Sequence, residues 1–127
     1  MILPAQTGFE EIPIAAVAAA AGGASVLNPE GVDVIIEKAI LDVSVKSTAA
    51  CTLAIGVAAT PVSANNLMDA VDVGTAIGAF DLTTNHGTAG KTVLLWPAGQ
   101  FLTVSQGTGA IAGLVANLKV RYTRRVA

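Results

Sequence analysis

The side chains that could carry chemistry are few and scattered: His86, Cys51, the aspartates Asp69, Asp72 and Asp81, and Trp96. Catalysis needs a nucleophile beside a base, a pair of carboxylates, or a metal cluster. His86 is the single histidine and sits in a Gly/Thr/Asn-rich turn, so it reads as a solvated turn residue, not a ligand or general base. Zinc wants several His or Cys ligands at short spacing, and one of each is present. Asp69 and Asp72 are close in sequence but lack the regularly spaced oxygen ligands of a calcium loop. The glycines from Gly74 to Gly90 have neither the lysine-serine ending nor the following helix of a phosphate-binding loop. Cys51 alternates with Leu53 and Ile55, as a buried strand thiol does. Trp96 stands beside Pro97 and reads as a core or interface anchor ahead of a sugar-stacking platform. No enzyme, cofactor or metal site is expected from this set.

The elements that must position these residues are strands. Ala39, Leu41, Val43 and Val45 alternate with Ile40, Asp42, Ser44 and Lys46, the two-residue period of a half-buried antiparallel strand. Alternation resumes with Cys51, Leu53, Ile55 and Val57, so the two runs form a hairpin or a pair that switches sheets. Ser63 to Ala70 is either one helical turn, capped by Ser63 or Asn66, or a long loop. Short strands and turns are expected from Val71 to Gly90, anchored by Val73, Ile77, Phe80 and Leu82, with a turn at Asn85-His86-Gly87. Thr92–Trp96 and Gln100–Ser105 flank Pro97-Ala98-Gly99 and predict a hairpin. After a turn at Gln106–Gly109, the last strand points Leu114, Ala116, Leu118, Val120 and Tyr122 inward. Many short strands with regular turn signals predict an all-β, two-sheet antiparallel sandwich or barrel.

Composition narrows the function classes. The 127 residues suit one domain, yet 53% are hydrophobic and only 13% charged, against about 25% charged in a typical soluble domain. Depleted charge predicts a surface partly covered by partner subunits. All acidic residues lie between Glu10 and Asp81, whereas Lys91, Lys119, Arg121, Arg124 and Arg125 follow. That polarity suits orientation on a charged partner. Only Tyr122 lies among these bases, so no specific nucleic-acid contact is expected. Ile12 to Leu27 is apolar, but Glu10 and Glu11 stand where a signal peptide has bases, and Pro4 and Pro13 interrupt it. It is too short and too weakly hydrophobic to span a membrane, which takes about 20 apolar residues. It reads as an ordered arm or first strand, giving residues 1–30 as that arm or strand and 31–127 as the sandwich.

The segments LLWPAGQFLTVS and QGTGAIAGLVANLKVRYT, preceded by TAIGAFDLTTNHGTAGK, resemble the loop-rich middle and final strands of jelly-roll decoration (cement) proteins of tailed-bacteriophage capsids. The resemblance covers roughly residues 35 to 125 and rests on turns and apolar alternation; the Ala-rich stretch Ala15 to Ala21 departs from it. It implies a jelly roll on the outer capsid surface of a virion, bound to the major capsid protein as a dimer or trimer and stabilising neighbouring subunits. Partner contacts are then expected from the separable N-terminal arm (Ile2, Phe9, Ile12, Ile14 and Val17) and from the basic C-terminal strand (Lys119, Arg121, Arg124 and Arg125). Trp96 and Phe101 are candidate anchors near the hairpin. Other readings are a carbohydrate- or receptor-binding module of a fibre or cell surface, resting on Trp96, and a coat protein that self-assembles alone.

Overall fold

Strands rich in β-branched residues, each with one apolar face, must bury those faces against each other, and here they do so in two layers. The structure, a computed structural model, describes residues 7–15, 24–75, 77–109 and 111–125. Among these residues nine strands form: β1 (Thr7–Ala15), β2 (Ala24–Leu27), β3 (Val34–Val45), β4 (Cys51–Ala58), β5 (Met68–Asp72), β6 (Gly78–Asp81), β7 (Leu94–Trp96), β8 (Phe101–Gly109) and β9 (Val115–Arg124). One short helix, α1 (Leu82–Asn85), follows β6. Sheet A has the order β1-β9-β3-β6, with β7 also paired to β3, and sheet B the order β2-β8-β4-β5. Every pairing is antiparallel, and the sheets pack as an all-β sandwich around one core.

The alternation seen in the sequence maps onto this core. Ala39, Leu41 and Val43 of β3, Cys51, Leu53, Ile55 and Val57 of β4, and Ala116, Leu118, Val120 and Tyr122 of β9 are all buried. The runs containing Leu41 and Leu53 switch sheets and do not form a hairpin, because β3 lies in sheet A and β4 in sheet B. Two register shifts interrupt β3, one between Ile36 and Lys38 and one between Val43 and Val45. The first inserts Glu37 as an extra residue and reverses the parity of the strand. Val34 and Ile36 point inward before it, and Ala39, Leu41 and Val43 after it. Without it Lys38 would enter the core. The second leaves Val45 exposed where alternation predicts it inside.

Further expectations are corrected or narrowed. The turn at Pro97–Gly99 exists, with Gln100 N–H donating to Pro97 O at 3.2 Å and Gly99 at φ 79°, a value glycine adopts without a Cβ clash. Its flanking strands do not pair with each other: β7 pairs with β3, and β8 with β2 and β4. Gln106–Gly109 is the end of β8, and the turn falls later, at Ala112 and Gly113. Ile77 is 63% exposed and anchors nothing, whereas Val73 and Leu82 are buried as read. Ser63–Leu67 is loop, leading into β5. Of the two readings of the N-terminal segment, arm or first strand, Thr7–Ala15 takes the second, paired along its length with β9.

Candidate functional site

The aspartates and His86 are occupied with contacts that hold turns and loops. Asp81 caps α1 by accepting from Thr83 N–H at 3.0 Å. Asp72 accepts from Thr75 Oγ1 at 2.7 Å and Gly74 N–H at 2.9 Å, and these bonds hold its carboxyl below its ordinary range. Asp69 accepts from Asn65 Nδ2 and Ala89 N–H, while His86 Nδ1 lies 2.8 Å from Gly87 O. Burial, then the charge of Asp72, raises the Cys51 thiol, the opposite of what activates a nucleophile. Among the described residues no three His, Cys, Asp or Glu side chains converge as a metal site.

Several residues expected at a partner surface lie inside the chain's own core. Ile12 is buried, and Ile14 and Trp96 are fully so. Trp96 packs edge-to-face on Tyr122 with ring centroids 6.1 Å apart, and its Nε1 donates to Gln100 O at 2.9 Å. No ring face is left for a partner or a sugar, because β7 faces the sandwich interior at this position. Phe101 is half-buried on the outward side of sheet B, in register with Leu27 and Ala58. Ile2 and Val17 lie outside the described residues.

The C-terminal arginines close the rim of the sandwich. Arg124 Nε donates to Glu30 Oε1, and Tyr122 Oη donates to Glu30 Oε2 at 2.7 Å. Hydrogen bonds from Arg124 and Tyr122 hold the Glu30 carboxyl below its usual range; burial and the bond to Glu30 push the Tyr122 hydroxyl up to about 12. Arg125 N–H donates to Asp33 O at 2.8 Å, and its guanidinium lies 3.9 Å from the Asp33 carboxylate. Asn28 completes this latch, its Nδ2 donating to Trp96 O at 2.9 Å and Val32 O at 3.0 Å. These contacts tie the segment after β2 to the ends of β7 and β9.

Phe9, Lys119 and Arg121 remain outward, and the sheet brings them together. Phe9 of β1 is opposite Arg121 of β9, which is opposite Lys38 of β3. The adjacent row reads Glu11, Lys119, Ile40 and Asp81 across β1, β9, β3 and β6. Phe9, Lys38, Ile40, Lys119 and Arg121 line a cleft of about 350 Å³ on the outer face of sheet A, and Phe9 is 59% exposed. Ile40 reads as outward from its alternation; Lys38 precedes the run and is turned outward by the Glu37 bulge, a feature set by pairing and not by local pattern.

A second concavity, of about 480 Å³, lies on the outer face of sheet B among Thr52, Ser63, Asn65, Asp69 and Gln106. Its polar groups largely serve the fold: Ser63 and Ser105 hydroxyls are 2.8 Å apart, and Asn65 is bonded to Asp69.

Fold and surface together define a small antiparallel β-sandwich with one open, mixed apolar and cationic face. Comparison with family models, curated proteins and solved structures found no match to the chain. Among the described residues no helix is long and apolar enough to cross a membrane.

Proposed function

We propose that the chain is a non-enzymatic structural protein of a phage virion, bound to the outside of the capsid and stabilising contacts between major capsid subunits. The observation that carries this reading is the open outer face of sheet A, which exposes Phe9 beside cations, with the further exposed apolar pair Val45 and Val115 on the same sheet. A binding role needs such a surface and nothing more, whereas catalysis needs a constellation of reactive groups. The strand order also supports it. With β7 set aside, the orders β1-β9-β3-β6 and β2-β8-β4-β5 fit the eight-stranded jelly roll implied by the resemblance to decoration proteins. Exposed Ile77 and a chain only 13% charged agree with a surface meant to be covered, including by further copies in a dimer or trimer.

The test is sedimentation of the purified chain with shells assembled from the major capsid protein encoded in the same genome. The expected result is saturable co-sedimentation at fixed stoichiometry, with the shells resisting heat or low salt better when decorated. A chain that stays in the supernatant at every concentration, or a genome encoding no capsid protein, overturns the proposal.

A further inference from the structure

The two adjacent rows on the outer face of sheet A differ in how their charges are balanced. Lys119 has Glu11 opposite it on β1 and Asp42 at 3.8 Å on β3, so its charge is answered within the chain. Lys38 and Arg121 are opposite each other across β3 and β9, and among the described residues neither has an ion-pair partner. Like charges directly opposite on a sheet destabilise it. The pair exists because the Glu37 bulge turns Lys38 outward, so the fold itself sets two unanswered cations side by side. Phe9 flanks Arg121 on β1, and Ile40 flanks Lys119 on β3.

We propose that the Phe9–Arg121–Lys38 row is the docking site for a short acidic segment of a partner protein. One or two of its carboxylates would sit between the Arg121 guanidinium and the Lys38 ammonium, and an adjacent apolar side chain would lie over Phe9 and Ile40. Charge complementarity selects this occupant. A planar guanidinium binds a carboxylate through two parallel hydrogen bonds, and the anion removes the repulsion the pair otherwise carries. A longer polyanion such as a nucleic acid fits poorly. The cationic row is bounded by Glu37 in the bulge and by Glu11 and Asp42 on the other side, so no continuous basic track follows a phosphate backbone.

This inference rests on the binding-protein reading above and names the chemistry of the partner, and its test separates the two. A synthetic peptide of alternating glutamate and leucine is titrated into the isotope-labelled full chain, with single-stranded oligothymidylate as comparison. The expected result is amide shift changes centred on Phe9, Lys38 and Arg121, and roughly tenfold weaker binding by the Lys38→Gln/Arg121→Gln variant, as loss of charge-assisted hydrogen bonds implies. Lys91→Gln, in the loop before β7 and outside the cleft, should bind as the parent does. Equal affinity of the double variant, or tighter binding of oligothymidylate, overturns the proposal. Both variants are also sedimented with capsid shells. If the parent binds shells and the double variant binds equally, the acidic-segment proposal fails while the capsid role stands. If the parent ignores shells yet the peptide binds as described, the capsid role fails while the docking site stands.

Discussion

The two outer faces of the sandwich have opposite fates. Sheet B presents Thr103, Ser105, Ala54 and Gly56 outward, all buried although they point away from the core. The chain's own loop between β4 and β5 packs on part of this face, with Asn66 and Ala64 against Gly56 and the Ser63 hydroxyl 2.8 Å from that of Ser105. There Asn66 accepts from Val57 N–H at 2.7 Å and donates to Val57 O at 3.0 Å, standing in for a missing strand. Sheet A presents Phe9, Lys38, Lys119 and Arg121, long side chains that no part of the described chain covers. Small residues let backbone approach a sheet closely, whereas long and charged ones hold it off. Side-chain size on the outward face thus decides where the chain's own loop can close on a sheet.

The strongest way to break this comparison is to enlarge sheet B. A Cβ at position 56 would lie 2.2 Å from Asn66 Oδ1 and 2.8 Å from Asn66 N, distances that force the loop to move. Gly56→Ala is therefore expected to cost about 1–3 kcal/mol, as overpacking does. Urea unfolding followed through the fluorescence of Trp96, the single tryptophan, would measure it. A negligible cost would mean the loop is not held against the sheet. Next comes Asn66→Ala, which leaves both polar groups of the Val57 backbone without their partner and should cost about 1–2 kcal/mol. Hydrogen exchange at the Val57 amide should quicken in the same variant, and an unchanged amide would contradict the clamp.

How much of this contrast is legible in the sequence depends on whether the cause is local. The inward faces of β4 and β9 follow from alternation, because burial of one side of a strand leaves a two-residue period in the residue types. The Pro97–Gly99 turn is legible for the same reason, since proline and glycine act on their own dihedrals. What the turn connects is not local. Trp96 and Phe101 enter different sheets, and nothing between them records that Leu94–Trp96 will pair with Val34–Ile36. The Glu37 bulge is hidden likewise, so Lys38 goes unnoticed while Arg121, on an uninterrupted strand, is picked out with Phe9 and Lys119. The α1 helix did have a local signal, Asp81 two residues before Thr83, but four residues are too few for a helical period. Ile12, Ile14 and Trp96 read as partner contacts in the sequence because an apolar residue in a strand looks alike whether it meets its own core or another chain.

The rim latch separates the closed end of sheet A from its open centre, and its effect depends on pH. The Glu30 carboxyl, held below its ordinary 4.5 by Arg124 and Tyr122, binds a proton less readily folded than unfolded. Its contribution is present above 4.5 and is lost as pH falls through the lower native value. Glu30→Gln should lower the melting temperature at neutral pH, with the gap to the parent closing in acid. A gap that stays constant from neutral pH to well below 4.5 would show that the carboxylate's charge is not what closes the rim.

The smallest expected effect has the opposite sign and bears most directly on why sheet A stays open. Lys38 and Arg121 contribute repulsion and no ion pair among the described residues, so Lys38→Gln/Arg121→Gln should leave stability unchanged or raise it by about 0.2–1 kcal/mol. Because both side chains are exposed, added salt should shrink that gain by screening the parent's repulsion. Thermal melts of parent and variant at low and high ionic strength measure both quantities. A clear loss of stability would mean that the row helps hold the sandwich together, and the contrast between the faces would reduce to loop coverage. A gain that fades with salt means the fold carries an unfavourable charge pair on its open face, a cost that an anionic partner would remove.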